Sequence, residues 1–112
     1  MLDGIAHALE RYLDLLAVRQ KLAASNLANA DTPGYRTRDI DFQREFRSLI
    51  AGGSPQVIEV GGLPVKNDGN DVSVDREARL LAENALRFNL ASNLLRAEIR
   101  MVRAAIQGGK QT

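Results

Sequence analysis

The chain has 112 residues, a length that suits one domain or one elongated subunit and excludes an enzyme of several domains. Its 15 lysine and arginine residues nearly balance 14 aspartate and glutamate residues, which excludes binding of nucleic acid or of an anionic membrane by net charge alone. Cysteine is absent, and this excludes disulfides, thiolate metal sites and cysteine nucleophiles.

No segment of the sequence suits a membrane span or a secretory signal. No window of about 18 uninterrupted apolar residues occurs. Residues 1–16 lack a basic start and place acids where a signal peptide should be apolar. We therefore expect neither a spanning helix nor a cleaved signal peptide.

Residues 1–30 predict the first long helix, with Asp3 as a possible N-cap. Pro33 ends it, because the residue before a proline is pushed away from helical geometry. Thr32-Pro33-Gly34-Tyr35 predicts a type II turn, since proline fixes φ at the second position and glycine accepts a positive φ at the third.

Residues 31–74 predict the turn, a short helix and a looped segment. Asp39 or Asp41 can cap a short helix over residues 41–50. One face of this helix carries Phe42, Phe46, Leu49 and Ile50. Because so short a helix is unstable alone, we expect Phe42 and Phe46 to anchor it by packing.

The second half of the middle segment predicts a β-hairpin. Residues 56–60 and 63–66 flank Gly61-Gly62, which can form a two-residue turn. Pro64 would place the second strand at a sheet edge, because proline cannot donate a ladder hydrogen bond.

Residues 75–107 predict a second long helix, about 50 Å in length, followed by a tail over residues 108–112. Ser73 or Asp75 can cap its start, and Gly108-Gly109 supplies a stop signal. Apolar residues recur along this segment at alternating spacings of four and three, as in a heptad seam. This predicted seam, interrupted by Ser92, contains Ala78, Leu81, Ala85, Phe88, Leu95, Ile99, Val102 and Ile106.

Together these elements predict a mainly α fold: two long terminal helices packed antiparallel in an elongated, coiled-coil-like hairpin, joined by the middle segment. A compact domain of this length has a radius of gyration of about 13 Å, too small to enclose the second helix. The chain is thus expected to be a single elongated subunit.

More apolar side chains lie on the last helix than one partner helix can cover. Beside the seam lie Leu80, Leu86, Leu90, Leu94 and Met101. Each would gain about 1.5–3 kcal/mol on burial, which favours self-assembly. The alternative is a small bundle in which the middle segment covers this surface.

The segment from Asn26 to Tyr35 resembles a motif of the flagellar rod and hook proteins. The residues that carry the resemblance are Asn26, Leu27, Asn29, Asp31, Thr32, Pro33, Gly34 and Tyr35. Residues 38–42, 69–77 and 84–88 resemble the proximal rod family of the FlgB type. The resemblance covers about half of the chain, and the middle segment is short for a rod protein.

This resemblance implies a structural subunit of the bacterial flagellar basal-body rod, which crosses the periplasm and transmits torque. Such subunits leave through the flagellar type III export apparatus without a cleaved signal and assemble through their terminal helices. The implied partners are other rod subunits, the basal adaptor protein at the export gate and the export apparatus. No enzyme activity, cofactor, nucleic-acid binding or membrane insertion comes with the family.

Individual polar residues leave alternatives open. Asn26 and Asn29 share a helix face and either cap the helix end or bind the backbone of the turn or of a neighbouring subunit. His7 is the sole histidine and cannot form a metal site alone. Arg96, Arg100 and Arg103 form either a solvated face or an ion-pairing stripe between subunits.

No motif for a nucleophile, a phosphate-binding loop or a zinc site is present, so no catalytic, cofactor-binding or metal-binding residue is expected. A second hypothesis fits the same amphipathic helices: a cytoplasmic helical adaptor or export chaperone that acts by helix-helix contact. This alternative would have no need for the Asn26–Tyr35 motif.

Overall fold

The computed structural model describes residues 2–48 and 53–110, and they form three helices and two short strands. In chain order these are α1 (Leu2–Ala28), β1 (Arg38–Ile40), α2 (Phe42–Arg47), β2 (Val57–Glu59) and α3 (Val74–Lys110). Within these ranges, no helix combines the length and the apolar character needed to cross a membrane.

The long helices α1 and α3 pack against each other in antiparallel fashion, as predicted. Near the start of α1, Ile5 lines a groove together with Leu94. Near its end, Asn26 donates a hydrogen bond to Glu77. The molecule measures 71 × 26 × 17 Å with a radius of gyration of 18.5 Å, well above the value for a compact chain. The predicted elongated, mainly α fold is confirmed.

Helix α3 extends beyond the start of α1. It has 37 residues against 27 in α1, so at about 1.5 Å per residue it is longer by roughly 15 Å. The predicted stop at Gly108-Gly109 is wrong, since α3 continues to Lys110. Neither glycine takes the positive φ of a glycine C-cap, and glycine inside a helix costs only about 1 kcal/mol.

The face of α3 that packs on α1 differs from the predicted seam. The buried stripe consists of Glu77, Asn84, Ala91 and Glu98, each one residue before a seam position and about 100° away around the helix. The prediction that the seam is buried against α1 is therefore wrong for its five exposed residues: Ala78, Ala85, Phe88, Ile99 and Ile106. The other three, Leu81, Leu95 and Val102, are half-buried.

The reason for the shift is that polar side chains line the helix interface. Asn26 and Glu77 are both fully buried and joined by a 2.6 Å hydrogen bond. A hydrophobic period cannot detect an interface of this kind, because it assigns buried positions to apolar residues alone.

The middle segment forms a small antiparallel sheet, but with a different pairing from the predicted hairpin. Strand β2 pairs with β1, with Arg38 opposite Glu59 and Ile40 opposite Val57. Residues 63–66 are not a strand, so that prediction is wrong. The unfavourable proline at position 64 and the free edge of β1 account for the pairing.

Helix α2 docks on α1 through aromatic rings. Asp41 caps it by accepting a hydrogen bond from the Arg44 backbone. The ring of Tyr12 meets Phe42 and Phe46 edge to face, with centroids 5.2 and 5.6 Å apart. Leu49 and Ile50, predicted on the same face, lie outside the described residues.

Candidate assembly site

Asn26, on the last turns of α1, is the centre of a buried polar cluster. Its Nδ2 donates to the Arg38 carbonyl at 2.8 Å and to the Glu77 carboxylate at 2.6 Å. Its Oδ1 accepts from the Arg38 backbone N–H at 3.1 Å and from the Tyr35 hydroxyl at 3.0 Å. A single side chain thus joins α1, the turn, β1 and α3.

A chain of charged groups continues from Asn26 across the cluster. Arg76 donates to Glu77 at 2.6 Å and to Asp39 at 2.8 Å. Arg19 donates to both oxygens of the Asp39 carboxylate, at 3.0 and 3.1 Å, and shares Oδ2 with Arg76. Two buried carboxylates therefore face two guanidinium groups, an arrangement in which burial of each charge is compensated.

The environment of Arg76 reflects this pairing. Burial by itself would lower the pKa of Arg76, but the hydrogen bonds and charges of Glu77 and Asp39 outweigh burial and raise it. The guanidinium therefore remains protonated and serves as a fixed connection between β1 and the first turn of α3.

The predicted turn lies at the edge of the cluster. Gly34 has a φ of 76°, and the Tyr35 N–H donates to the Thr32 carbonyl at 3.2 Å, as a type II turn requires. The Thr32 hydroxyl donates to Asn29, which in turn donates to the Ser25 carbonyl. The turn prediction is confirmed, and Asn29 acts within its own helix end.

Residues 66–72 close over this turn. The fully buried Asn70 donates to the carbonyls of Asn29 and Thr32 at 2.9 and 2.8 Å. The Gly34 N–H donates to the Asp68 carbonyl at 2.9 Å. Gly69 has a φ of 87°, which favours glycine, and its position for a Cβ lies 3.4 Å from the Gly34 Cα, so the two loops are in close contact.

Thr37 and Asp71 form a second buried pair. The Thr37 backbone N–H and hydroxyl donate to the Asp71 carboxylate at 2.6 and 2.8 Å. Burial alone would raise the pKa of Asp71, but these hydrogen bonds and the charge of Arg36 outweigh it and hold the pKa below its usual value.

The structure brings together three of the segments on which the resemblance rests: residues 26–35, 38–42 and 69–77. Of the predicted motif residues, Asn26 is buried, while Leu27, Asn29 and Tyr35 are half-buried. The other four, Asp31, Thr32, Pro33 and Gly34, are exposed on the turn. His7 is exposed as well.

Other cluster residues were not singled out as site residues from the sequence. They are Arg19, Thr37, Asp39, Asn70, Asp71, Arg76 and Glu77. The sequence signal for several of them is the concentration of small polar and acidic residues on both sides of the start of α3. Such a concentration usually indicates helix capping alone. Antiparallel packing of the two long helices predicted that the end of α1 lies near the start of α3, but not that these polar residues bind each other there.

Two grooves lie on opposite sides of the α1–α3 pair. The first, of about 410 Å³, runs between Leu16 and Gln20 of α1 and Asn84 and Phe88 of α3. The second, of about 470 Å³, is lined by Ile5, Leu9 and Tyr12 of α1, by Phe46 of α2, and by Leu90 and Leu94 of α3. Both grooves are predominantly apolar, so each flank of α3 can receive another helix.

Comparison with known proteins places this geometry in a family. Residues 13–36, which include Arg19, Asn26 and the turn, match the model described as flagella basal body rod protein. The flagellar basal body rod protein FlgB of Salmonella typhimurium is 33% identical over an alignment of 137 residues. This alignment covers 97% of this chain and 99% of that protein.

FlgB proteins of other bacteria are similar as well. FlgB of Borrelia hermsii is 31% identical over 87% of this chain and 91% of its own length. FlgB of Bacillus subtilis is 23% identical over 98% of both chains. A cytoplasmic adaptor or chaperone is not favoured by these findings. The chain belongs to the FlgB family of flagellar basal body rod proteins and is a structural subunit of the rod.

Proposed function

We propose that this rod subunit assembles with its neighbours through both flanks of α3, and that the rod thereby transmits torque. The observation that carries the proposal is the exposure of large apolar side chains on this helix. Leu86, Leu90 and Leu94 are 57–62% exposed. On the other flank, Phe88, Ile99 and Ile106 are exposed as well.

The exposed side chains lie on both sides of the stripe that α1 covers. At about 100° per residue, Phe88 and Leu90 lie roughly 160° apart around the helix. Two separate apolar flanks suit a heterologous contact, in which one flank of each subunit binds the opposite flank of the next. Such a contact repeats without closing and builds a tube. Burial of each side chain would contribute about 1.5–3 kcal/mol.

The polar cluster around Asn26 has a different role in this proposal. It fixes the direction in which residues 31–73 leave the helix pair, so that neighbouring subunits present the same surface. Its four hydrogen bonds from one buried amide support this role. A complementing copy that lacks residues 31–35 is expected to leave cells without rods, and normal swimming would contradict it.

Membership of the FlgB family supports more specific proposals for partners and location. We propose that the partners are other rod subunits, the basal adaptor protein at the export gate and the export apparatus, and that the subunit resides in the periplasmic rod after export without a cleaved signal. The arginine stripe of α3, with Arg96, Arg100 and Arg103 exposed, is suited to pairing with acidic residues of a neighbour. The proposed role is mechanical, with no catalytic step.

Complementation of a strain that lacks the native gene tests the proposal. Leu90→Ser is expected to abolish swimming, because it removes apolar area from the flank while changing little in the isolated chain. Val65→Ser is the matched control, since Val65 is 53% exposed and Leu90 is 57% exposed, but Val65 lies in a loop. Equal motility of the two strains would refute assembly through α3.

A further inference from the structure

Two of the residues that line the first groove, Gln20 and Asn84, each carry a buried polar atom without a partner among the described residues. The Nδ2 of Asn84 and the Oε1 of Gln20 are buried and have no hydrogen-bond partner among the described residues. Asn84 as a whole is only 3% exposed. A buried donor or acceptor that stays unpaired costs about 1–3 kcal/mol, so this position carries an unused capacity for hydrogen bonding.

The groove has room for a side chain of a neighbouring helix. Its lining includes the buried Leu16 and, beside Phe88, the small residues Ala17 of α1 and Ala85 of α3. We propose that this Asn84 groove receives a neutral hydrogen-bonding side chain from a second copy of the chain, and that the resulting pair fixes the register between subunits. This inference rests on the proposed assembly through the flanks of α3.

The chemistry of the groove selects the kind of side chain. The atoms without partners are the donor Nδ2 of Asn84 and the acceptor Oε1 of Gln20. Lys21 also lines this groove. A carboxylate cannot donate to Gln20, and a cationic side chain cannot accept from Asn84 and is repelled by Lys21. A primary amide satisfies both positions at once.

The opposite flank of α3 presents such an amide. Leu86, Leu90, Asn93 and Ala97 follow at spacings of four, three and four, and we call this stripe the outer ridge. Asn93 is exposed, and its Oδ1 accepts a long hydrogen bond of 3.5 Å from Arg96. It is the one polar member of a ridge that otherwise matches the apolar walls of the groove.

Docking of Asn93 beside Asn84 defines a register. In a tube built from one repeated heterologous contact, neighbouring subunits point the same way. The nine-residue separation then displaces each neighbour by about 14 Å along α3. A single polar pair in an apolar helix interface is a known means of specifying register, at some cost in stability.

Cysteine cross-linking tests this contact, because the chain contains no cysteine. Ala85→Cys and Ala97→Cys, which leave Asn84 and Asn93 in place, are made as separate variants and expressed together in cells that lack the native gene. We expect a disulfide-linked dimer after oxidation of purified basal bodies. Ala85→Cys with Arg103→Cys, which lies 18 residues away, is the control pair. Absence of the first cross-link, or equal yield in the control, would overturn the proposal.

Substitution of the pair tests its role. Asn84→Leu is expected to leave the melting temperature of the isolated chain unchanged or higher, yet to reduce the number of rods per cell roughly tenfold, the order expected for one buried amide pair. Asn84→Leu combined with Asn93→Leu should restore assembly, since both sides are then apolar. A lower melting temperature for Asn84→Leu would show that the amide serves the single chain and would overturn the inference.

The proposed function and this inference fail separately. If Asn84→Leu swims normally while Leu90→Ser does not, the flanks still bind neighbours and the register pair is refuted. If both variants swim normally, assembly through α3 is refuted as well.

Discussion

Replacement of Asn26 by alanine should weaken the connection between the end of α1 and the start of α3. The fully buried amide makes hydrogen bonds to Arg38, Tyr35 and Glu77. A bond between neutral groups is worth about 1 kcal/mol and a bond to a charged group about 1.5–3 kcal/mol. Three of its four bonds are to neutral groups and one is to the Glu77 carboxylate, so we expect Asn26→Ala to lower the free energy of unfolding by about 4.5–6 kcal/mol, a large part of the stability of a small protein.

Chemical denaturation of the isolated chain, followed by circular dichroism, measures this loss. Asn29→Ala is the matched control, because Asn29 lies three residues away and its side chain bonds locally, to Ser25 and Thr32. We expect the control to lose about 1 kcal/mol. An Asn26→Ala variant no less stable than Asn29→Ala would refute the reasoning that this amide holds the cluster together.

Three further predictions concern the parts around Asn26. Because the pKa of Asp71 is lowered in the fold, its pairing stabilises the protein above pH 3.8, the unfolded pKa, and this stabilisation is lost as the pH falls through the lowered pKa. The free energy of unfolding of Asp71→Asn should therefore depend less on pH in this acid range. Parallel curves of unfolding free energy against pH for the variant and the unchanged protein would contradict this. Gly34→Ala should cost about 1–2 kcal/mol in thermal unfolding because of its positive φ, whereas Gly61→Ala, in open space without a positive φ, should be neutral; equal losses would contradict the turn geometry. Phe46→Ala should speed hydrogen exchange of the α2 amides at least tenfold, since each aromatic pair contributes about 0.5–1.5 kcal/mol. The amides of α1 and α3 should stay protected. Unchanged exchange in α2 would contradict docking through the rings.

The elements with local signals could be predicted from the sequence. Helical periodicity predicted α1 and α3, and Pro33 with Gly34 predicted the turn, because these signals depend on neighbouring residues alone. Capping by Asp41 and Ser73 was predicted for the same reason, and both side chains accept a backbone N–H of their helix.

The features that depend on distant residues could not be predicted in the same way. Strand β2 pairs with β1 across α2, and nothing near Val57 identifies Arg38–Ile40 as its partner. The stripe of α3 that faces α1 includes the buried residues Glu77 and Asn84. The burial of Glu77 depends on its hydrogen bond with Asn26, which lies 51 residues away in the sequence. A pattern of apolar residues therefore found the helix but assigned the wrong face.

The family resemblance covers two segments that periodicity does not connect. These are residues 26–35 and 69–77, and the structure joins them through Asn26, Asn70 and Glu77. This explains physically why both segments carry the family signal, because each supplies half of one buried network.

A reconstruction of the purified basal body by electron cryomicroscopy would test the central claim most directly. We expect the α1–α3 pair to persist in the rod, with Leu90 and Phe88 each buried against a different neighbouring subunit. A rod in which Leu90 and Leu94 remain open to solvent would contradict assembly through the flanks of α3.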